Sequence, residues 1–240
     1  MLLLPRYENG DELDPTGPSG HAYGIRKSSM LTSDYRKRLR RGIVDVTPEE
    51  VIACMIESKI RNWVLMGLHG YVGYLPMPRA TQDVDVMVAY SEKLVAAKAI
   101  ETRWPMLKRI NLEQVVRFMD DTDLDPEGKP KPVIDLMLPW GQFQRTILKD
   151  HVIRDKETGS RYPTIEAALA SKYAALVSPF RSTDKKGQDS VDFSRIVKAN
   201  SKLIDRDRLR ALGSQVWEKG GDEVVHFVDQ ILDGKSLPGL

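Results

Sequence analysis

From residue 47 onward the apolar positions recur with two different periods. Thr47-Pro48-Glu49-Glu50 has the form of a helix start: a hydroxyl that can cap, proline at the first helical position, and a glutamate able to reach back. Val51, Ile52, Met55 and Ile56 follow at helical spacing, which predicts a helix to about residue 59. Trp63-Val64-Leu65-Met66 reads as a strand ending at Gly67. A short helix is expected over 69–74, closed by Pro76 and Pro78. Further strands are expected over 84–89, 115–119 and 133–138, and a helix capped by Ser91 runs to residue 100 or beyond. Ile147, Lys149, His151 and Ile153 alternate, which predicts one more strand. From Thr164 the pattern is helical throughout.

Before residue 47 no period is visible. Residues 8–20 are polar and turn-rich, so residues 1–45 read as a polar and basic N-terminal arm. The expected organisation is that arm, an α+β core over 46–160 with a mixed sheet flanked by helices, and a C-terminal helical lobe over 161–240. Arg36-Lys37-Arg38-Leu39-Arg40-Arg41 packs five basic residues into six. It reads either as a contact to RNA or a triphosphate tail, or as a solvated helix face. The acidic stretch 120–128 lacks the ligand spacing of a calcium loop and reads as a hairpin-like turn.

Composition narrows the classes. The 240 residues carry 36 Lys and Arg against 34 Asp and Glu, and a formal charge of +2 does not coat a polyanion. The single cysteine, Cys54, excludes an intrachain disulfide and a multi-cysteine zinc site. No apolar run is long enough to cross a membrane, and the cytoplasm is the default setting.

The chemistry concentrates in Thr81-Gln82-Asp83-Val84-Asp85-Val86. In a strand, Asp83 and Asp85 project from one face, and two carboxylates that close call for a positive charge between them. A divalent cation is the usual answer; a solvated sheet edge is the other reading. A third acid, Asp135, lies in a second apolar run, 133–138. Upstream is the glycine-bearing turn Met66-Gly67-Leu68-His69-Gly70, with Arg79 between. Together these suggest metal-dependent phosphoryl or nucleotidyl transfer.

Leu65-Met66-Gly67, followed by Pro78-Arg79-Ala80-Thr81-Gln82-Asp83-Val84-Asp85-Val86, resembles the signature of the DNA polymerase β-type nucleotidyltransferases. The minimal nucleotidyltransferases and the AbiEii-type abortive-infection toxins are the most similar in form. The likeness spans about residues 48–200. It continues in the segment from Glu166 to Leu176, similar to the helix that carries that family's lysine, here Lys172. It extends through Arg181 and Lys186-Gly187-Gln188-Asp189-Ser190-Val191-Asp192. One departure stands out: the family's second small residue is Leu68 here, and the next glycine is Gly70. Either His69-Gly70 substitutes for the small pair, or triphosphate binding is weakened.

The resemblance implies a polymerase β-like fold and a nucleotidyltransferase using two Mg2+ ions held by Asp83, Asp85 and Asp135. Asp135 would also be the general base or orient the acceptor hydroxyl. It implies phosphate contacts at Gly67, Leu68, His69, Gly70, Arg79, Thr81 and Arg181, with Lys172 neutralising phosphate charge. Arg79 reads equally as a structural salt bridge. The implied partners are an NTP, an RNA or tRNA acceptor and a cognate antitoxin, with no membrane. Two alternatives stand beside this: an aminoglycoside-type transferase acting on small molecules, and a non-catalytic nucleotide- or partner-binding protein on the same fold.

Overall fold

The computed structural model describes residues 7–8, 11–39, 45–125 and 127–237, and the architecture is stated for these. A minimal hairpin of β1 (Tyr7–Glu8) and β2 (Asp11–Glu12) precedes a long helix, α1 (Pro18–Leu39), and then α2 (Pro48–Glu57). The central sheet comprises β3 (Trp63–Leu65), β4 (Val84–Val88), β5 (Lys108–Asn111), β6 (Val115–Leu124) and β7 (Pro130–Met137). Its spatial order is β3-β4-β7-β6-β5; β4 and β7 run parallel and the other neighbours antiparallel. A short helix α3 (Gly67–Tyr71) follows β3, and α4 (Lys93–Arg103) follows β4. After the sheet come α5 (Gln142–Asp150), the hairpin β8 (Val152–Arg154) and β9 (Arg161–Pro163), and the helices α6 (Ile165–Val177), α7 (Thr183–Asn200), α8 (Arg206–Val216) and α9 (Gly220–Leu232). The fold is α+β, a mixed sheet flanked by helices with a helical lobe.

The period-2 geometry of β4 sorts its residues between two cores. Val84, Val86 and Val88 are buried with Phe118, Ile134, Leu136 and the apolar faces of α2 and α4. Met87, on the opposite face with Asp83 and Asp85, belongs to a second cluster with Val64, Leu68, Tyr71, Phe143, Ile147 and α6 to α9. The helical lobe therefore packs on the carboxylate-bearing face of the sheet.

Several segments differ from the sequence expectation: β5 and β9 were not foreseen, α4 starts at Lys93 with no side-chain cap from Ser91, and three further segments take other forms. Residues 18–39, expected as part of an arm, form α1, whose buried positions are Gly20, His21, Gly24, Ile25, Ser28 and Thr32. These fall at helical spacing, but all except Ile25 are small or polar, so the stripe carries little hydrophobic signal. A Cβ on Gly24 would sit 3.0 Å from the Val72 carbonyl, which is how closely α1 approaches the turn after α3. His21 stacks on Tyr162 with ring centroids 3.7 Å apart, and burial, then the nearby His69, hold its imidazole down at about 3. Residues 142–150, where a strand was expected from 147, form α5, and only the end of that expected strand is extended, as β8. Phe143 and Ile147, one turn apart, are both buried, and Gln144 reaches back to the Gly141 amide to cap the start. The acidic stretch opens as strand: β6 continues to Leu124, and the hairpin turn is made by Asp125, whose carboxylate accepts from the Glu127 and Lys129 amides. The basic run 36–41 has its side chains outside the described residues.

α1 also props the segment that leads into β4. The Ser28 hydroxyl donates to the Arg79 carbonyl at 2.7 Å, and the Thr81 amide donates to Thr32 Oγ1 at 3.1 Å. Ile25→Ala is therefore expected to cost about 2–5 kcal/mol in urea unfolding, as for an interior isoleucine. A residue on a detached arm would leave the midpoint unmoved.

Candidate active site

β4 and β7 are parallel neighbours in which Asp85 stands opposite Asp135. Asp83 is two residues before Asp85, hence on the same face. Oxygens of Asp83, Asp85 and Asp135 come within 4.8 Å of one another. The Thr81 hydroxyl donates to Asp83 Oδ1 at 3.4 Å, tying the segment braced by α1 to the first carboxylate.

Burial and mutual repulsion act together on this triad. Burial first, then the charges of Asp83 and Asp135, push the Asp85 carboxyl well above the aspartate range, with Lys172 and Arg181 pulling the other way. Asp83 is pushed up by burial and then by Asp135. Three hard oxygen donors, close together and short of positive charge, fit a Mg2+ ion by donor chemistry. Both Asp135 oxygens, however, accept from Arg117 on β6, at 2.8 Å from Nε and 2.6 Å from Nη2.

The turn after β3 lies directly over the triad. The Met66 amide donates to the Asp85 carbonyl at 2.8 Å. Gly67 has φ +52°, and a Cβ there would land on the Asp85 carboxylate, so the position needs glycine twice over. A cleft of about 220 Å³ opens beside it, lined by Met66, Gly67, Asp85, Lys172, Arg181 and Asp189 among others.

Behind the cleft, α7 supplies two buried carboxylates that gather the cations. Lys172 Nζ donates to Asp189 Oδ1 at 2.7 Å and Asp192 Oδ2 at 3.1 Å, and lies 4.4 Å from the centre of the Tyr71 ring. Arg181 Nε donates to Asp189 at 2.9 Å. Arg79 Nη2 donates to Asp192 at 2.8 Å and to the Tyr71 hydroxyl at 3.2 Å, and Tyr71 in turn donates to Asp192 at 2.7 Å. Burial raises the Asp192 carboxyl, but the Arg79 hydrogen bond and the charges of Lys172 and Arg79 outweigh it, so Asp192 is held below its ordinary range.

The structure thus brings Asp83, Asp85 and Asp135 together, and sets Asp85 in a cleft with Gly67, Lys172 and Arg181. Arg79 is placed one layer back, in a salt bridge with Asp192, an acid of α7 rather than of the triad. Leu68 is buried in the lobe core. Gly70 packs against the Leu65 carbonyl, where a Cβ would lie 2.6 Å away. His69 is buried outside the cleft, in a small pocket with Thr32, Thr47, Thr81 and Asp83. Arg117 was missed by sequence reasoning. Its signal was a lone cation in the run Val115-Val116-Arg117-Phe118-Met119, and its meaning depends on a register that no local pattern states.

No protein-family model and no curated protein matches the chain. Among solved structures, the chain is similar to the crystal structure of an antigenic nucleotidyltransferase-like protein from Paracoccidioides brasiliensis. The identity is 15%, the match covers 86% of this chain and 95% of that one, and the TM-score is 0.46. No helix among the described residues is long and apolar enough to cross a membrane.

The raised Asp85 carboxyl fixes the sign of a pH effect. Well below about pH 4 the residue is neutral in both folded and unfolded chains, and near pH 4 the unfolded chain has only begun to favour the charged form. As pH rises towards its folded value, the unfolded chain loses the proton first, so the folded state loses stability. Asp85→Asn is therefore expected to match the wild type near pH 4 and to melt higher at pH 8 in chelator, read by circular dichroism. Gly67→Ala is expected to cost more than the ~1–2 kcal/mol of a left-handed alanine, because the methyl group also displaces the Asp85 carboxylate. Urea unfolding reads this directly.

Proposed function

We propose that the protein is a magnesium-dependent nucleotidyltransferase that moves a nucleoside monophosphate from an NTP to a hydroxyl acceptor. The observation that carries the reading is the meeting of three carboxylates from two parallel strands, one of which, Asp85, lines a cleft with Gly67, Lys172 and Arg181. Asp83, Asp85 and Asp135 would hold two Mg2+ ions, whose chemistry is to neutralise triphosphate charge and acidify the attacking hydroxyl.

The chain's own residues do the rest. Gly67 leaves space beside Asp85 that any side chain would fill. Lys172 and Arg181 offset phosphate charge at the cleft wall while staying anchored to Asp189. The acceptor oxygen forms a bond to the α-phosphorus, the α–β phosphoanhydride bond breaks, and pyrophosphate leaves with its electron pair. Asp135 takes the hydroxyl proton, which requires Arg117 to release one of its oxygens.

The sequence resemblance extends the proposal to an RNA or tRNA acceptor and to a toxin role with a cognate antitoxin, and the cytoplasm is the default setting proposed for it. A second reading, a non-catalytic nucleotide-binding protein, draws on one observation: the Arg117–Asp135 pair covers the third carboxylate.

The test is incubation with each α-labelled NTP, Mg2+, total RNA and an aminoglycoside panel. Wild-type protein is expected to label RNA. Asp83→Ala with Asp85→Ala should reduce labelling to background, and Lys172→Ala should slow it about 10²-fold, as for loss of one charge-stabilising donor. Label on small molecules alone would assign the acceptor to that class. No transfer by folded protein that still binds Mg2+ and NTP would favour the non-catalytic reading.

A further inference from the structure

Asp135 is held by a cation of the protein's own. Arg117 and Asp135 are direct cross-strand partners on β6 and β7, and the guanidinium meets the carboxylate through two parallel hydrogen bonds, the geometry of the strongest side-chain ion pairs. The Asp135 side chain is 9% exposed and that of Arg117 35%, so the arginine covers the carboxylate from the open side. The other register neighbours of Arg117 are Ile110 on β5 and, two residues either way along β6, Val115 and Met119. None of these three carries a charge. Arg117 is also close enough to feel the charges of Asp83 and Asp85, both of which stabilise its guanidinium. A single cation thus answers, in part, all three carboxylates that a divalent ion would use.

We propose that Arg117 competes with the divalent cation for Asp135, releasing the carboxylate when metal and nucleotide load and moving its guanidinium to a phosphate oxygen of the nucleotide. This inference rests on the triad being a metal site. Its consequence is coupling: metal alone must displace an ion pair, whereas metal together with nucleotide gives the displaced arginine a new anion. Metal and NTP therefore bind more tightly together than either does alone, and the site stays charge-balanced between turnovers.

The experiment is a calorimetric titration of Mg2+ alone into wild type, Arg117→Gln, Arg117→Lys and Asp85→Ala. It is then repeated in the presence of a non-hydrolysable α,β-methylene NTP. Without nucleotide, Arg117→Gln is expected to bind Mg2+ about tenfold more tightly than wild type. Arg117→Lys, with a point charge and no fork, should fall between them. At saturating Mg2+, Arg117→Gln should bind the analogue about tenfold more weakly than wild type.

Unchanged or weaker Mg2+ binding in both Arg117 variants would overturn the proposal, because an arginine that merely orients Asp135 helps the metal. If Asp85→Ala binds Mg2+ as well as wild type does, the triad reading falls, and the Arg117 proposal with it. If Asp85→Ala is silent and the Arg117 variants are unchanged, only the Arg117 proposal falls. Arg117→Lys retains the charge at the site, so it keeps the comparison available should Arg117→Gln fail to fold.

Discussion

Three carboxylates held within 4.8 Å of one another set the terms for the rest of the molecule. Two like charges about 4 Å apart repel by roughly 4 kcal/mol at the effective dielectric of a protein surface. Burial raises the cost of charging Asp83 and Asp85 further. A chain left to relax would separate them. Here the parallel pairing of β4 with β7 forbids separation, because Asp85 and Asp135 are opposite one another in the ladder. Strand order and register, fixed by the valine-rich core on the other face, thus impose a local electrostatic strain.

The surroundings answer that strain in two ways. On the open side Arg117 neutralises Asp135 directly. On the lobe side the cations are kept at a set distance: Lys172 and Arg181 line the cleft but are anchored to Asp189 and Asp192 on α7. Anchoring matters because a free lysine would collapse onto the nearest carboxylate of the triad. Held by α7, Lys172 and Arg181 lower the cost of charging Asp85 without filling the space in front of it. α1 contributes from behind, bracing residues 79–81 and so the approach to Asp83.

Much of this was legible in the chain, and what was not has a common cause. Asp83 and Asp85 could be placed on one face because strand period is a local property, and the alternation of valines with aspartates states it. The start of α2 was legible for the same reason, its capping box being confined to four residues. α1 was hidden because its buried stripe is made of Gly20, Gly24, Ser28 and Thr32, which pack by close approach and hydrogen bonding rather than by apolar bulk. The end of α5 reads as strand because Ile147 alternates with Ile153, which is in β8, while the partner that decides the matter, Phe143, is a helical turn upstream. The pairing of Arg117 with Asp135 is non-local: 18 residues separate them, and only the β6–β7 register brings them together.

The central claim is that the fold crowds these carboxylates in order to take a divalent cation. Crystals grown with Mn2+ and a non-hydrolysable NTP, measured at the manganese absorption edge, address it most directly. The account predicts an anomalous peak among the oxygens of Asp83, Asp85 and Asp135, with the Arg117 guanidinium moved off Asp135 and onto phosphate. Anomalous density elsewhere, with the Arg117–Asp135 pair intact and the nucleotide ordered in the cleft, would contradict it.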